Sequence, residues 1–409
     1  MKIRKILKRC TAAMLAAAIG MTTLAANVSA ATSGVSIGYT WNSSVNPTIK
    51  NRKNGVTGGV SGQYIKAGEQ ICRFSPSSTS DWAFCIEPAK SMQGASYKDW
   101  YTQNGFTKYD TFDLSDKNKA DSFAYWKSIG GTDGPMAKYL GLVQYYGYSS
   151  HKTGDYYAAT QCLIWELILG YRGHTQAGFG KCSDILWNDF TYPSGGWCTR
   201  SGVEKAYNDI VSNVKDHYKL PSAMRSTKAQ AKDEPNVMKY NAENLRYETK
   251  VTVPTSYVTA SSLAHNFSSL ESKLGSLIKS KFSGTFGKDY GLETEMSGTN
   301  TVYTIWSKER QFTSSGDSSI YVTESIPMQM KNSLKKQETL FANSYYQTCL
   351  LSTRLDPVVG YVGLASYNEP NLTVEKTYTD SSNNQITAAE LNNLLGKTCL
   401  LYTSDAADE

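Results

Sequence analysis

The sequence predicts an α+β N-terminal domain, in which β-strands combine with a helical subdomain, followed by a mainly β-sandwich region. Three observations carry this. Residues 32–75 are rich in Gly, Ser, Asn and Thr with short apolar patches, the pattern of strands and turns. From about 115 to 220 the apolar residues recur with helical period. After 236 that period stops, and Leu245, Tyr247, Thr249, Val251 and Val253 alternate with polar residues.

The elements follow in order. Asp81-Trp82-Ala83-Phe84-Cys85-Ile86-Glu87-Pro88 reads as a short strand stopped by proline, with Trp82, Phe84 and Ile86 on one face and Ala83, Cys85 and Glu87 on the other. Pro135 is placed to open a helix whose stripe is Met136, Tyr139, Leu140 and Val143. Asp155 is expected to cap the next helix, which runs to Gly170. Ser201-Gly202-Val203-Glu204 has the form of a capping box, with Val203, Ala206, Tyr207, Ile210, Val211 and Val214 as the stripe behind it. Polar Lys228–Pro235 reads as a linker. Further strands are expected at 302–306, 319–322, 345–351, 358–364 and 372–376, with a helix within 259–280.

The ends of the chain read differently from its middle. Residues 1–30 have a basic start, an apolar stretch around Met14–Ala26 and small residues ending Val28-Ser29-Ala30, the form of a secretory signal. Export, and a cell-surface location, follow as expectations. Residues 399–409 resemble the translation of a sequencing-library adapter, which would make Cys399 non-biological and would leave a missing C-terminus holding a wall anchor. The formal net charge of +6 rests on Lys2, Arg4, Lys5, Lys8 and Arg9, and removing them leaves +1. No sustained basic face remains to bind nucleic acid. The apolar run Cys162–Leu169 is interrupted by Glu166 and suits a buried helix, not a bilayer span.

Without Cys10 and Cys399, six cysteines remain: Cys72, Cys85, Cys162, Cys182, Cys198 and Cys349. In an exported chain an even set suggests disulfides, and Cys182 with Cys198 would close the loop around Ser194–Trp197. There is no CxxC pair and no His/Cys cluster with zinc spacing, so neither a metal nor a cofactor is expected.

Gln161 stands out within Tyr156–Ile168. Helical spacing puts it on a stripe with Ala158, Ile164, Trp165 and Ile168. A carboxamide there must find partners or cost roughly 1–3 kcal/mol. Spacing alone leaves open a core glutamine bonded to backbone.

Phe84-Cys85-Ile86 followed by Thr160-Gln161-Cys162-Leu163-Ile164-Trp165 resembles the paired motifs of the thioester domains of Gram-positive surface adhesins, an aromatic-Cys-aliphatic strand and a Thr-Gln-x-x-Ile-Trp helix. The resemblance covers residues 32–235 and departs at Cys162, where the family has a small residue. It implies an internal thioester between Cys85 and Gln161 that captures an amine, such as a lysine of a host surface or matrix protein. Phe84, Thr160, Ile164 and Trp165 would support the motif. Such a chain is not an enzyme, because the reactive bond is consumed. Residues 237–368 resemble the β-sandwich stalk modules that follow such domains, and 370–398 the start of a further Cna-B-like module. There Lys376 would be the candidate for an intramolecular isopeptide bond.

Three other readings remain at this point, one of them a purely structural thioester or bridge that locks the domain and captures nothing. A cysteine hydrolase would pair Cys85 with His151 or His174, neither of which sits in a recognisable motif. A non-covalent carbohydrate- or protein-binding module would use exposed Tyr and Trp, with Cys85 structural or in a disulfide.

Overall fold

The structure is a computed structural model describing residues 32–50, 52, 63–90, 92, 98–110, 121–131, 134–259, 265, 267–312, 328–331, 338–352, 358–366, 378–380, 382, 384–387 and 389–390. The expected signal segment, Lys376 and the expected adapter segment lie outside these residues, as do the strands expected at 319–322 and 372–376.

The chain begins with strands β1 (Thr32–Trp41), β2 (Thr48–Ile49), β3 (Ser75–Pro76), β4 (Phe84–Cys85) and β5 (Lys98–Asp110). Helices α1 (Asp121–Ser128), α2 (Pro135–Gln144) and α3 (Gly154–Ile168) follow, then β6 (Phe190–Thr191), α4 (Arg200–Asp216) and α5 (Lys228–Asp233). The second half holds β7 (Asn236–Asn241), β8 (Arg246–Pro254), α6 (Thr255–Val258), α7 (Leu270–Lys281), β9 (Tyr290–Ser297) and β10 (Asn300–Ser307). It continues with β11 (Met328–Lys331), β12 (Glu338–Ala342), β13 (Cys349–Ser352), β14 (Val359–Val362) and β15 (Leu364–Ser366). Within 370–398 a small hairpin, β16 (Tyr378–Thr379) with β17 (Gln385–Ile386), is described.

The architecture is mixed α+β, and its topology corrects the expected division at residue 235. A six-stranded sheet runs β3-β1-β5-β12-β13-β4. Strands β12 and β13, expected to belong to a stalk module, lie between β5 and β4 and join them. Leu340, Phe341, Cys349 and Leu350 accordingly belong to the same core as α3. The physical reason is that β4 and β5 do not pair with each other, so their facing edges need strands from elsewhere in the chain. Alternation alone cannot say which sheet a strand enters.

The second region is a five-stranded sheet, β15-β7-β8-β10-β9, in which the β9–β10 hairpin adds to β8 through β10, so that the chain crosses over between β8 and β9 and all three strands pair antiparallel in continuous register. Its core is Val251, Val253, Tyr303 and Ile305 from the sheet against Leu270, Leu274 and Ile278 of α7, with Val358 and Val362 closing it. The expected sheet-on-sheet sandwich is therefore, among the described residues, a sheet covered by a helix and the β11–β14 ribbon.

Helix starts differ from expectation by one or two residues. Thr153, not Asp155, caps α3, accepting from the Tyr156 N–H; the Asp155 carboxylate accepts instead from the Thr199 N–H at 2.8 Å. Thr199 caps α4 in place of the expected Ser201. Thr227 caps α5 inside the segment expected to be a linker, so that segment is a short helix with buried Ala231. In the first two cases a threonine lies two residues ahead of the residue chosen from sequence, and either side chain offers an oxygen to the helix start. Leu245, expected in a strand, sits in the β7–β8 turn at φ 51° and is exposed. No helix among the described residues is long and apolar enough to cross a membrane.

Candidate functional site

Strand β4 is the edge of the six-stranded sheet, and α3 packs along that edge. Tyr157, Gln161 and Trp165 are spaced by four residues and share a helix face. All three are buried, as are Phe84 and Cys85. The Tyr157 ring stacks on Phe84 at 4.5 Å between centroids. Its one hydroxyl proton is shared between the carbonyl oxygens of Ala83 (2.6 Å) and Cys72 (3.0 Å), and the oxygen accepts from the Phe74 N–H (3.2 Å). Tyr157 thus fixes helix and strand in one register.

One turn on, Gln161 closes the strand edge. The Cys85 N–H donates to Gln161 Oε1 at 2.9 Å, and Gln161 Nε2 donates to the Cys85 carbonyl at 2.8 Å. The carboxamide takes the place that the peptide of a seventh strand would take, and both backbone groups of Cys85 are satisfied. Neither residue has exposed surface.

Burial pushes the Cys85 thiol well above its ordinary range, because the thiolate is poorly solvated there. Two local groups act the other way: the backbone N–H of Glu87 and the indole N–H of Trp165. The Trp165 N–H has no hydrogen-bond partner among the described residues, and it lies close enough to the sulfur to favour the thiolate. The Glu87 carboxylate is engaged with the Thr348 N–H (3.1 Å) and hydroxyl (2.7 Å), and the Tyr125 hydroxyl donates to the Ile86 carbonyl. Around the thiol the backbone is therefore held from both sides of β4.

Nearby, the Glu69 carboxyl is buried and pushed up to about 7, mainly by desolvation and against the pull of Lys66. Its field reaches both Cys72 and Cys85 and disfavours their thiolates.

Of the residues singled out from sequence, Cys85, Gln161, Phe84 and Trp165 meet at this edge. Ile164 is buried on the same helix without touching the carboxamide through a polar atom. Thr160 is buried too, and its hydroxyl is committed elsewhere: it donates to the Tyr156 carbonyl at 2.6 Å and accepts from the Tyr148 N–H at 3.1 Å. It packs so closely on Gly147 that a side chain there would collide with it. Its place is to anchor the irregular turn Tyr145–Ser149 against α3.

Cys162 is buried, with Glu166, Cys198 and Asp189 as its charged or ionisable neighbours, a set that does not include Cys85. Helix geometry turns it away from the Gln161 face. Cys182 and Cys198, expected to bridge, are free thiols. Cys182 donates to the Asp184 carbonyl beside the Glu166–Arg172 pair, whereas Cys198 lies near Asp155 and Arg73. The loop is closed instead by packing, with the Trp197 indole N–H donating to Asn46 at 3.0 Å and its ring against Arg73. His151 stacks on Tyr156, and no histidine figures among the charged or hydrogen-bonding neighbours of Cys85.

Sequence reasoning assigned no role at the site to Tyr157 or Cys349. Tyr157 lay one turn before Gln161 and was legible by that spacing; Cys349 carried no local signal. Among the described residues no group of three His, Cys, Asp or Glu side chains could hold a metal ion.

No family model matches the chain, and no curated protein matches it. The thioester domain of the Staphylococcus aureus TIE protein is similar in structure, at 14% identity over 82% of this chain and 98% of that chain, with a TM-score of 0.36. A likeness that loose carries no argument about this site.

Proposed function

We propose that Cys85 and Gln161 condense into an internal thioester, and that the chain is a surface adhesin that uses this bond to capture a host amine, such as a lysine. The observation that carries the reading is the reciprocal pair of hydrogen bonds between the Gln161 carboxamide and the Cys85 backbone.

In the first step the Cys85 sulfur adds to the Gln161 Cδ, the thiol proton passes to the amide nitrogen, and ammonia leaves. Negative charge develops on Oε1, toward which the Cys85 N–H already points, so that donor acts where charge grows. Fixed placement supplies an effective concentration on the order of 10⁵ M or more. The absence of exposed surface at both residues limits hydrolysis of the product. In the second step an amine attacks Cδ, leaving an amide on Gln161 and a thiol on Cys85. The N–H groups of Glu87 and Trp165 favour that departing sulfur. The bond is used once.

The test is the intact mass of the full chain with and without methylamine. The expected result is a mass short by one ammonia, which becomes a methylamine adduct at Gln161 and is absent in Cys85→Ala. An unmodified mass with Cys85 open to alkylation would remove the thioester reading and leave a non-covalent binding module.

A further inference from the structure

Cys85 has a second partner, and it comes from the part of the chain assigned by sequence to another domain. Across the sheet, Cys349 of β13 is the direct Cα partner of Cys85, with Leu350 opposite Phe84. The hydrogen-bond pattern settles which kind of pair this is. The Ile86 N–H donates to the Thr348 carbonyl at 3.0 Å, so residues 86 and 348 form the hydrogen-bonded pair. Pairs alternate along an antiparallel ladder, which makes Cys85 and Cys349 a non-hydrogen-bonded pair. The Cys85 N–H and C=O agree, since both turn away from β13 to Gln161.

Directly opposed residues of this kind have Cα atoms about 4.5 Å apart and side chains on the same face. Disulfides form at Cα separations of about 4.4–6.8 Å. Both cysteines are fully buried. A third thiol, Cys72, lies within electrostatic reach of both but is held off this ladder, with the Asn46 amide donating to its sulfur at 3.7 Å.

We propose that Cys349 is the disulfide partner of Cys85, and that a low-molecular-weight disulfide oxidises the pair whenever Cys85 is not bonded to Gln161. The cross-strand pairing is independent of the function proposed above; its role in capture rests on that reading. The exchange balances without further reagents. One thiol of the pair attacks the small disulfide and releases one small thiol, and the other attacks the mixed disulfide and releases a second. The Cys85 sulfur then has two exclusive fates, acyl carbon or Cys349. When an amine opens the thioester, the sulfur is freed beside Cys349. Bridging it there removes the one nucleophile positioned to reverse the capture. Outside the cytosol such a bridge persists.

The experiment uses the full chain under native conditions. Gln161→Ala, which has no acyl donor, is exposed to oxidised glutathione, alkylated, digested and mapped. Wild type is carried through the same steps with and without prior methylamine. The expected result is a Cys85–Cys349 peptide in the variant and in methylamine-treated wild type, but not in untreated wild type. In Cys349→Ala, methylamine should leave Cys85 open to alkylation after oxidation. If wild type takes up methylamine but neither sample carries the bridge, or if Cys85 is found bonded to Cys72, the proposal is overturned while the thioester stands. If untreated wild type bridges fully and takes up no methylamine, the pairing stands and the thioester falls. The methylamine arm keeps the test decisive should Gln161→Ala fail to fold.

Discussion

Around α3, polar side chains with no exposed surface carry much of the packing, whereas the core around α7 is almost wholly apolar. Every buried carboxylate or guanidinium among the described residues (Arg52, Glu69, Glu166, Arg172 and Glu338) belongs to the first core or its sheet. The second region buries only small or neutral polar groups such as Thr304, Ser307 and Gln311, and its Arg246–Glu248–Glu293 cluster stays in touch with water, the side chains being 18%, 13% and 53% exposed. The difference teaches where this chain keeps its chemistry. A buried polar group is tolerated only when partnered, so a region that holds many of them has a rigid, specified interior. That is the kind of interior a reactive cysteine and a carboxamide need in order to stay in register.

The largest expected effect tests that rigidity. Glu166 accepts from Arg172 Nε (2.8 Å), from the Tyr207 hydroxyl and from the Leu186 N–H (3.0 Å), and Arg172 also donates to the Phe179 carbonyl. Both charges are nearly inaccessible to solvent. Removing one partner strands the other, so Arg172→Met should cost about 3–5 kcal/mol in a urea titration. Because Glu166 lies one turn beyond Cys162 on α3, the ammonia-deficient mass should diminish as well. Full stability in this variant would mean that the buried pair does not hold the first core.

Acid and base should act on the two regions with opposite sign. Glu69 rises from 4.5 to about 7 on folding, so the folded state keeps its proton while the unfolded state loses it. Stability from this group is fullest below about pH 4.5 and declines as pH rises toward 7. The decline is at most about 3.5 kcal/mol at roughly 1.4 kcal/mol per unit. Glu69→Gln should flatten it. Glu248 and Glu293 are held below the usual carboxylate range, Glu293 chiefly by Arg246 and Glu248 by Asn241, Arg246 and Asn244 against its own desolvation. Their contribution is present above the ordinary carboxylate pKa and fades as pH falls through the lowered values. Stability curves of wild type and Glu69→Gln between pH 3 and 8 check both signs; the same slope in the two proteins would remove Glu69 as its source.

Much of this site was legible before the fold. Helical spacing put Gln161 and Trp165 on one apolar stripe, and strand alternation set Cys85 apart from Phe84, because both patterns are local. The partner strand was not legible. Residues 345–351 read as a strand from composition, but which strand they pair with depends on distant edges left open by β4 and β5. The register that sets Cys349 opposite Cys85 has no counterpart in periodicity. The bland reading of Gln161 as a core glutamine bonded to backbone is also realised geometrically, through the same bonds that would hold its carboxamide for attack.

A second buried glutamine separates those two roles. Gln144 at the end of α2 accepts from the Ser352 N–H of β13 at 2.6 Å, tying a helix to a strand through its oxygen alone where Gln161 uses both carboxamide atoms, and to a residue with no thiol. Gln144→Ala should therefore cost about 1–3 kcal/mol while leaving the ammonia-deficient mass intact. Gln161→Ala should incur a similar cost and abolish that mass. Loss of the mass in both variants would mean that it reports folding of the first core and not a bond to Gln161.

The smallest effect is expected at the surface of the second region. Arg246 pairs with both Glu293 oxygens at 2.7 and 2.8 Å and with Glu248 at 2.9 Å, and its guanidinium lies over the Trp306 ring. Geometry this good still competes with water, since Glu293 is half exposed. Arg246→Ala should cost about 0.2–1 kcal/mol and should weaken in its effect as salt is raised. A loss as large as that from Arg172→Met, unchanged by salt, would show that the second region also depends on a desolvated ion pair, and the contrast between the two cores would fail.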